Sequence, residues 1–187
     1  MDLVVKQQQK YGSRIVKTLQ KCVAFLLLMA TCTLAISGPS HPTTSALDWS
    51  QEASLARASG LPIMVIFSAD HCPYCARLKK EVLEPLVKSG RLKQRVILKE
   101  FNIDSGGKII DFDGEPIRSR IFVKRYEIYA TPTVVLVDYQ GHPLTEPIVG
   151  FNGPDSYTEH LDDAINTAVM TLAALRSPRF AQLDQVR

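Results

Sequence analysis

Thiols are scarce in this chain of 187 residues: there are four cysteines, and only Cys72 and Cys75 stand in a CxxC spacing. A structural zinc site takes about four nitrogen or sulfur ligands, commonly two such pairs, so the missing second pair argues against one. No histidine follows Cys75, where Ala76 stands, and that excludes the spacing of haem attachment. A bilayer-length apolar run is lacking too. The uncharged, mostly apolar stretch from Cys22 to Ile36 is 15 residues long, whereas a span needs about 20. No basic stripe with interleaved aromatics is present, which argues against nucleic acid as a partner. The formal net charge of +3 comes largely from lysines and arginines near the N-terminus. No segment reads as a dimerisation domain, so a monomer is expected.

What is present divides the chain into four parts. Lys6, Lys10, Arg14, Lys17 and Lys21 form a basic region ahead of the apolar stretch, and Ala35-Ile36-Ser37 is an A-x-A-like cleavage site before Gly38-Pro39. Residues 1–37 therefore read as an export signal peptide, or as an anchor if uncleaved. Residues 38–46, rich in Pro, Ser and Thr, read as a flexible leader. Residues 47–175 are long enough for one domain with a single core, and 176–187 form a polar tail. Cleavage would remove Cys22 and Cys32 and leave Cys72 and Cys75 as the only thiols.

Within the domain the elements alternate. Asp48 caps a helix to Ala58, with Gln51 three residues on and Ser59-Gly60 as the stop. Ile63–Phe67 is a buried strand and Ser68–His71 a short loop. Cys72–Val87 has one apolar helical stripe, which Pro85 bends or ends. Arg95–Ile103 is a second strand, followed by an irregular stretch, Asp104–Ser119, whose Phe112-Asp113-Gly114-Glu115 is a hairpin-type turn signal. Ile121–Tyr126 is a short helix, Thr133–Asp138 an apolar strand, and Pro147–Phe151 a weaker edge strand. Asp155–Leu175 is a helix opened by Pro154, with Ser156 and Glu159 in a capping-box relation.

Placed at a helix N-terminus, Cys72 faces unpaired amides and the positive end of the helix dipole, so its thiol ionises more easily than a free cysteine's. Pro73 fits the first helical turn, where a missing N–H costs nothing. Cys75, one turn on and better shielded, suits a resolving thiol that attacks a mixed disulfide formed at Cys72. His71 either supports the thiolate when protonated or is an exposed loop residue. A purely structural bridge is the other reading of the pair, although a four-residue loop makes a weak staple.

From about residue 46 to 175 the order strand, CxxC, helix, strand, helix, X-Pro, strand, strand, helix resembles the thioredoxin superfamily. The residues carrying the resemblance are Phe67 to Cys75, Phe101-Asn102-Ile103-Asp104 and Tyr126 to Asp138, which contains Thr131-Pro132. The resemblance implies an α/β thioredoxin fold, a central mixed sheet of about four to five strands flanked by helices. It implies thiol–disulfide oxidoreductase activity through the Cys72–Cys75 disulfide with no further cofactor. It also implies a cis Pro132 packed on the dithiol, and substrate contacts from Thr131, Pro132, Pro73 and Tyr74. The exported domain with its insert, Ser105–Arg120, is similar to SoxW-type periplasmic thioredoxins. That likeness implies a periplasmic reductant of protein disulfides, recharged by a membrane electron donor, although the insert reads equally as a variable surface loop.

The chain departs from cytoplasmic thioredoxins at Ile66, where those carry a buried aspartate, and at Ser68 and His71, where they carry tryptophans. Glu100, in the neighbouring strand, is the candidate proton acceptor for Cys75, or else a solvent-facing glutamate. Three other functions stay open. A dithiol oxidase or isomerase would run the same exchange in reverse. A thiol carrier would hold Cu(I) on Cys72, Cys75 and His71. An interaction module would keep the bridge inert.

Overall fold

The computed structural model describes residues 47–177. The export signal, the leader and most of the polar tail lie outside the described residues.

The elements in chain order are α1 (Trp49–Ser59), β1 (Ile63–Ser68), α2 (Pro73–Leu78), a π-helical turn (Lys79–Leu83), α3 (Glu84–Lys88), β2 (Ile97–Asn102), β3 (Lys108–Ile110), β4 (Pro116–Arg118), α4 (Ser119–Arg125), β5 (Thr133–Val137), β6 (Ile148–Val149) and α5 (Pro154–Leu175). A four-stranded sheet has the order β2-β1-β5-β6, and β3 pairs with β4 in a separate two-stranded ribbon. β1 runs parallel to β2 and antiparallel to β5, which runs antiparallel to β6, so the sheet is mixed.

β1 is apolar without alternation because both faces of the sheet are covered. Met64 and Ile66 pack with Leu78, Val82, Leu161 and Ile165 on the side of α2 and α5. Ile63, Val65 and Phe67 pack with Trp49, Phe101 and Phe122 on the side of α1 and α4. All six β1 residues are buried. The strand therefore delivers Ser68 and the loop after it to one end of a rigid central element.

Local chemistry explains the ends of α1. Asp48 caps it by accepting from the Ser50 amide at 3.0 Å, and Gly60 closes it at φ 77°, a left-handed value that favours glycine. Gln51 does not reach the Asp48 backbone; its Nε2 donates to Asp48 Oδ2 at 2.9 Å.

Three expectations need correction. Pro85 does not end the dithiol helix, which continues to Lys88. Pro85 offers no amide to Glu81, and the chain widens ahead of it into the π-helical turn, where the Glu84 amide donates to Lys79 O. Second, Ser156 does not cap α5: the N-cap is Gly153, with no side-chain cap, and Ser156 Oγ donates to Asn152 Oδ1 at 3.5 Å. Third, the stretch 105–120 is not irregular. The hairpin-type turn at 112–115 joins two short strands, with Lys108 opposite Arg118 and Ile110 opposite Pro116, and Ile109 and Phe112 are buried. Phe112 lies 5.5 Å from Trp49 between ring centroids, and the Ile110 amide donates to Leu47 O at 3.0 Å. The buried Asp111 carboxylate is gripped by both terminal guanidinium nitrogens of Arg125 on α4. A core aromatic and an ion pair therefore anchor the insert to the domain.

Candidate functional site

The dithiol loop sits where β1 ends. Cys72 is the N-cap of α2 and Pro73 opens the helix, so the Cys75 amide, an unpaired first-turn donor, points at Cys72 Sγ from 3.1 Å. The two sulfurs are joined in a disulfide, with the Cα atoms 5.3 Å apart. Across the sheet, the Thr131–Pro132 peptide bond is cis. The Thr131 hydroxyl lies 3.6 Å from Cys72 Sγ and donates to it, and the Thr131 carbonyl oxygen lies 3.7 Å from the same sulfur. The Gly150 amide donates to Pro132 O at 2.8 Å and fixes this segment to the end of β6. Cys72 thus collects the donors, and on reduction they favour its thiolate.

Both cysteines are half-buried, falling between buried and exposed. What distinguishes them is their surroundings, with Cys72 meeting Thr131 and Cys75 one turn further into the helix.

His71 adopts φ 55°, a left-handed and costly backbone for a residue with a side chain. A carboxylate and amide network overrides that cost. The Asp70 amide donates to Asp104 Oδ2 at 2.7 Å, Asn102 Nδ2 donates to Asp70 Oδ1 at 2.7 Å, and the Asp104 amide donates to Asn102 Oδ1 at 2.9 Å. Two chain segments over thirty residues apart are tied by it, and reading the sequence as a line missed it.

Beneath the dithiol lies an open cavity of about 620 Å³, whose walls include Cys72, Cys75, Lys79, Glu100 and Asn102. Ile66, opposite Glu100 in the β1–β2 register, is buried and apolar. Glu100 therefore lies on the dithiol side of the sheet, with 43% of its side chain exposed, and accepts from Lys79 Nζ at 2.7 Å. Partial burial pushes its carboxyl pKa up, but hydrogen bonds from Lys79 and Ser68 and the Lys79 charge outweigh this and hold it below the ordinary value. Lys79 was not singled out from the sequence, since nothing there signals a pairing across 21 positions.

Tyr74, between the cysteines, is exposed, and so is Tyr129, two residues before Thr131 in the chain, at 83%. The described residues hold no group of three or more His, Cys, Asp or Glu side chains that could hold a metal ion, and no helix among them is long and apolar enough to cross a membrane.

A parallel–antiparallel sheet carrying a CxxC at a helix N-terminus, opposite a cis-proline, defines a thioredoxin fold. The chain belongs to the thioredoxin-like domain family, whose sequence profile matches residues 49–165. It is 25% identical over 113 residues to the thiol:disulfide interchange protein DsbD of Ralstonia nicotianae, a match that covers 60% of this chain and 17% of that protein. The chain therefore spans under a fifth of that relative's length. Similar solved structures include a thioredoxin from Thermus thermophilus, 24% identical with a TM-score of 0.47, covering 64% of this chain and 85% of that one. Another is the periplasmic thioredoxin SoxS from Paracoccus pantotrophus, 21% identical with a TM-score of 0.39, covering 57% and 98%.

Proposed function

We propose that this chain is an exported thiol–disulfide oxidoreductase that reduces protein disulfides in the bacterial cell envelope. The observation that carries the reading is the placement of Cys72 Sγ, at a helix N-terminus and within reach of the Cys75 amide and the Thr131 hydroxyl. In the reduced enzyme the Cys72 thiolate attacks one sulfur of a substrate disulfide, and the other leaves as a thiolate. Cys75 then attacks Cys72 Sγ, expels the second substrate thiolate and leaves the Cys72–Cys75 disulfide. Two electrons pass to the substrate, and a membrane electron donor restores the dithiol. Thr131 and Pro132, with Pro73 and Tyr74, line the groove that receives the substrate, and Glu100 takes the Cys75 proton across the cavity both residues line. The export signal expected in residues 1–37 and the DsbD relative, a thiol:disulfide interchange protein, support the cell envelope and the chemistry.

One observation favours the reverse direction, a dithiol oxidase or isomerase. Donors on Cys72 Sγ stabilise the reduced thiolate, which makes the disulfide more oxidising. The deciding experiment measures the reduction potential of the purified protein alongside insulin reduction. The reductant reading expects a potential near about −270 mV and rapid insulin reduction. A potential near about −120 mV with no insulin reduction overturns it.

A further inference from the structure

The hairpin insert carries a second cleft, which the thiol chemistry does not use. Gly106, Gly107, Lys108, Arg118, Ser119 and Arg120 enclose about 350 Å³ between the base of the hairpin and the start of α4. No acidic residue lines it. Elsewhere among the described residues seven of the twelve lysines and arginines are paired, Arg77 with Glu81, Lys79 with Glu100, Lys88 with Glu84, Arg91 and Arg95 with Asp162, Lys99 with Glu52 and Arg125 with Asp111, and the other five do not line this cleft. Among the described residues Lys108, Arg118 and Arg120 form no ion pair, and the Gly106 and Gly107 amides donate to no acceptor. Acids outnumber bases between residues 47 and 177, so three converging cations are not a share of a generally basic surface. Such a group attracts carboxylates by long-range steering and pairs them at short range.

The cleft lies on the flank of the redox loop. Gly106 is two residues beyond Asp104, whose carboxylate holds the Asp70 amide, and Asp70 is two residues before Cys72. At 3.8 Å per residue that path caps the Gly106–Cys72 separation at roughly 23 Å, the reach of about seven extended residues.

We propose that this cleft takes carboxylate side chains of the protein whose disulfide Cys72 attacks, so that the preferred substrate carries an acidic segment within about seven residues of its reacting cysteine. The inference rests on the oxidoreductase reading above and narrows its substrate class. Both partners are exposed, so the pairing acts mainly on the rate of encounter and weakens with salt.

The test uses two synthetic peptides with the same internal disulfide, one extended by a run of glutamates and the other by glutamines. The reduced full chain and its K108Q/R118Q/R120Q variant are compared. The expected result is a glutamate peptide reduced about tenfold faster than the glutamine peptide at low salt. That advantage should disappear in about 0.5 M salt and in the variant. Equal rates for the two peptides, or an advantage that survives in the variant, overturns the proposal. A small neutral disulfide separates the two layers of argument. Equal turnover of it by both proteins leaves the redox centre intact, while no turnover by either sinks the oxidoreductase reading instead. In that event, anisotropy of a labelled, cysteine-free glutamate peptide still decides the cleft: binding lost in the variant supports it, and no binding overturns it.

Discussion

At the scale of single residues, the site rests on how few groups reach each sulfur. Cys72 Sγ has two donors, one a backbone amide that no substitution removes and the other the Thr131 hydroxyl. Thr131→Val keeps the β-branched shape and removes the hydroxyl. It should move the pH profile of Cys72 alkylation in the reduced protein to higher pH, since the hydroxyl no longer favours the thiolate. An unmoved profile would show that the amide and helix dipole alone set the thiolate. Glu100 tests the other sulfur. Held anionic beside Lys79, it has an open acceptor at neutral pH but a weak one, so its value as a base depends on proximity to Cys75 across the shared cavity. Glu100→Gln should slow release of the mixed disulfide several-fold while leaving Cys72 alkylation nearly intact. Unchanged turnover assigns Glu100 to the surface ion pair with Lys79 alone.

At the scale of elements, the hairpin insert is where the sequence was least legible. β1 and β5 announce themselves as apolar runs because the sheet is covered on both faces, and the Thr-Pro ahead of β5 and the CxxC after β1 mark the site. β3 and β4 have three residues each, too short for alternation to declare a strand, and what orders them is distant: Phe112 against Trp49, and Asp111 against Arg125. The π-helical turn was hidden for a similar reason, because Pro85 reports a missing amide but not how the chain accommodates it. Glu100 is legible as a candidate, but its pairing with Lys79 is not, since a contact between a helix and a strand depends on register. The Asp111 pair gives a quantitative test of the insert's anchoring. Burial pushes the Asp111 carboxyl up, but hydrogen bonds from Arg125 and from the Phe112 amide hold it below its ordinary value. Asp111→Asn removes the charge and leaves the partly buried guanidinium without its partner, at a cost of about 2 kcal/mol at neutral pH. A carboxyl whose folded pKa is depressed contributes stability above its unfolded pKa of about 4, and that contribution fades as pH falls through the folded value. Urea midpoints of the two proteins should therefore differ at pH 7 and converge in strong acid. A difference that persists there would point to packing, not charge, as what Asp111 supplies.

At the scale of the whole molecule, the two apolar clusters hold the sheet from both sides, and neither Cys72 nor Cys75 belongs to either of them. The dithiol therefore sits on a finished fold and is free to change state. Its bridge closes a loop of four residues, which restricts the unfolded chain by only about 2 kcal/mol in the chain-entropy picture. Breaking it should leave the domain folded and less stable by no more than that. The reduced form also gains something the oxidised form cannot have: a Cys72 thiolate favoured by the Cys75 amide, the Thr131 hydroxyl and the helix N-terminus. The folded thiol thus has a lower pKa than the unfolded one, near 8.5. Its contribution is complete above about pH 8.5 and is lost as pH falls through the folded value. Cys75 is the one other group that titrates only in the reduced form, and among the described residues no donor reaches its sulfur, so below about pH 8 the difference follows Cys72, while the remaining groups are common to both forms and cancel. The stability deficit caused by reduction should accordingly be largest near pH 5 and narrow steadily towards pH 8.5, as followed by urea unfolding with and without reductant. A deficit that stays constant or widens with pH would mean that the donors around Cys72 position the sulfur without favouring its charge. That outcome would remove the physical basis of the oxidising direction, and it would equally remove the activation of Cys72 on which the proposed reductant rests.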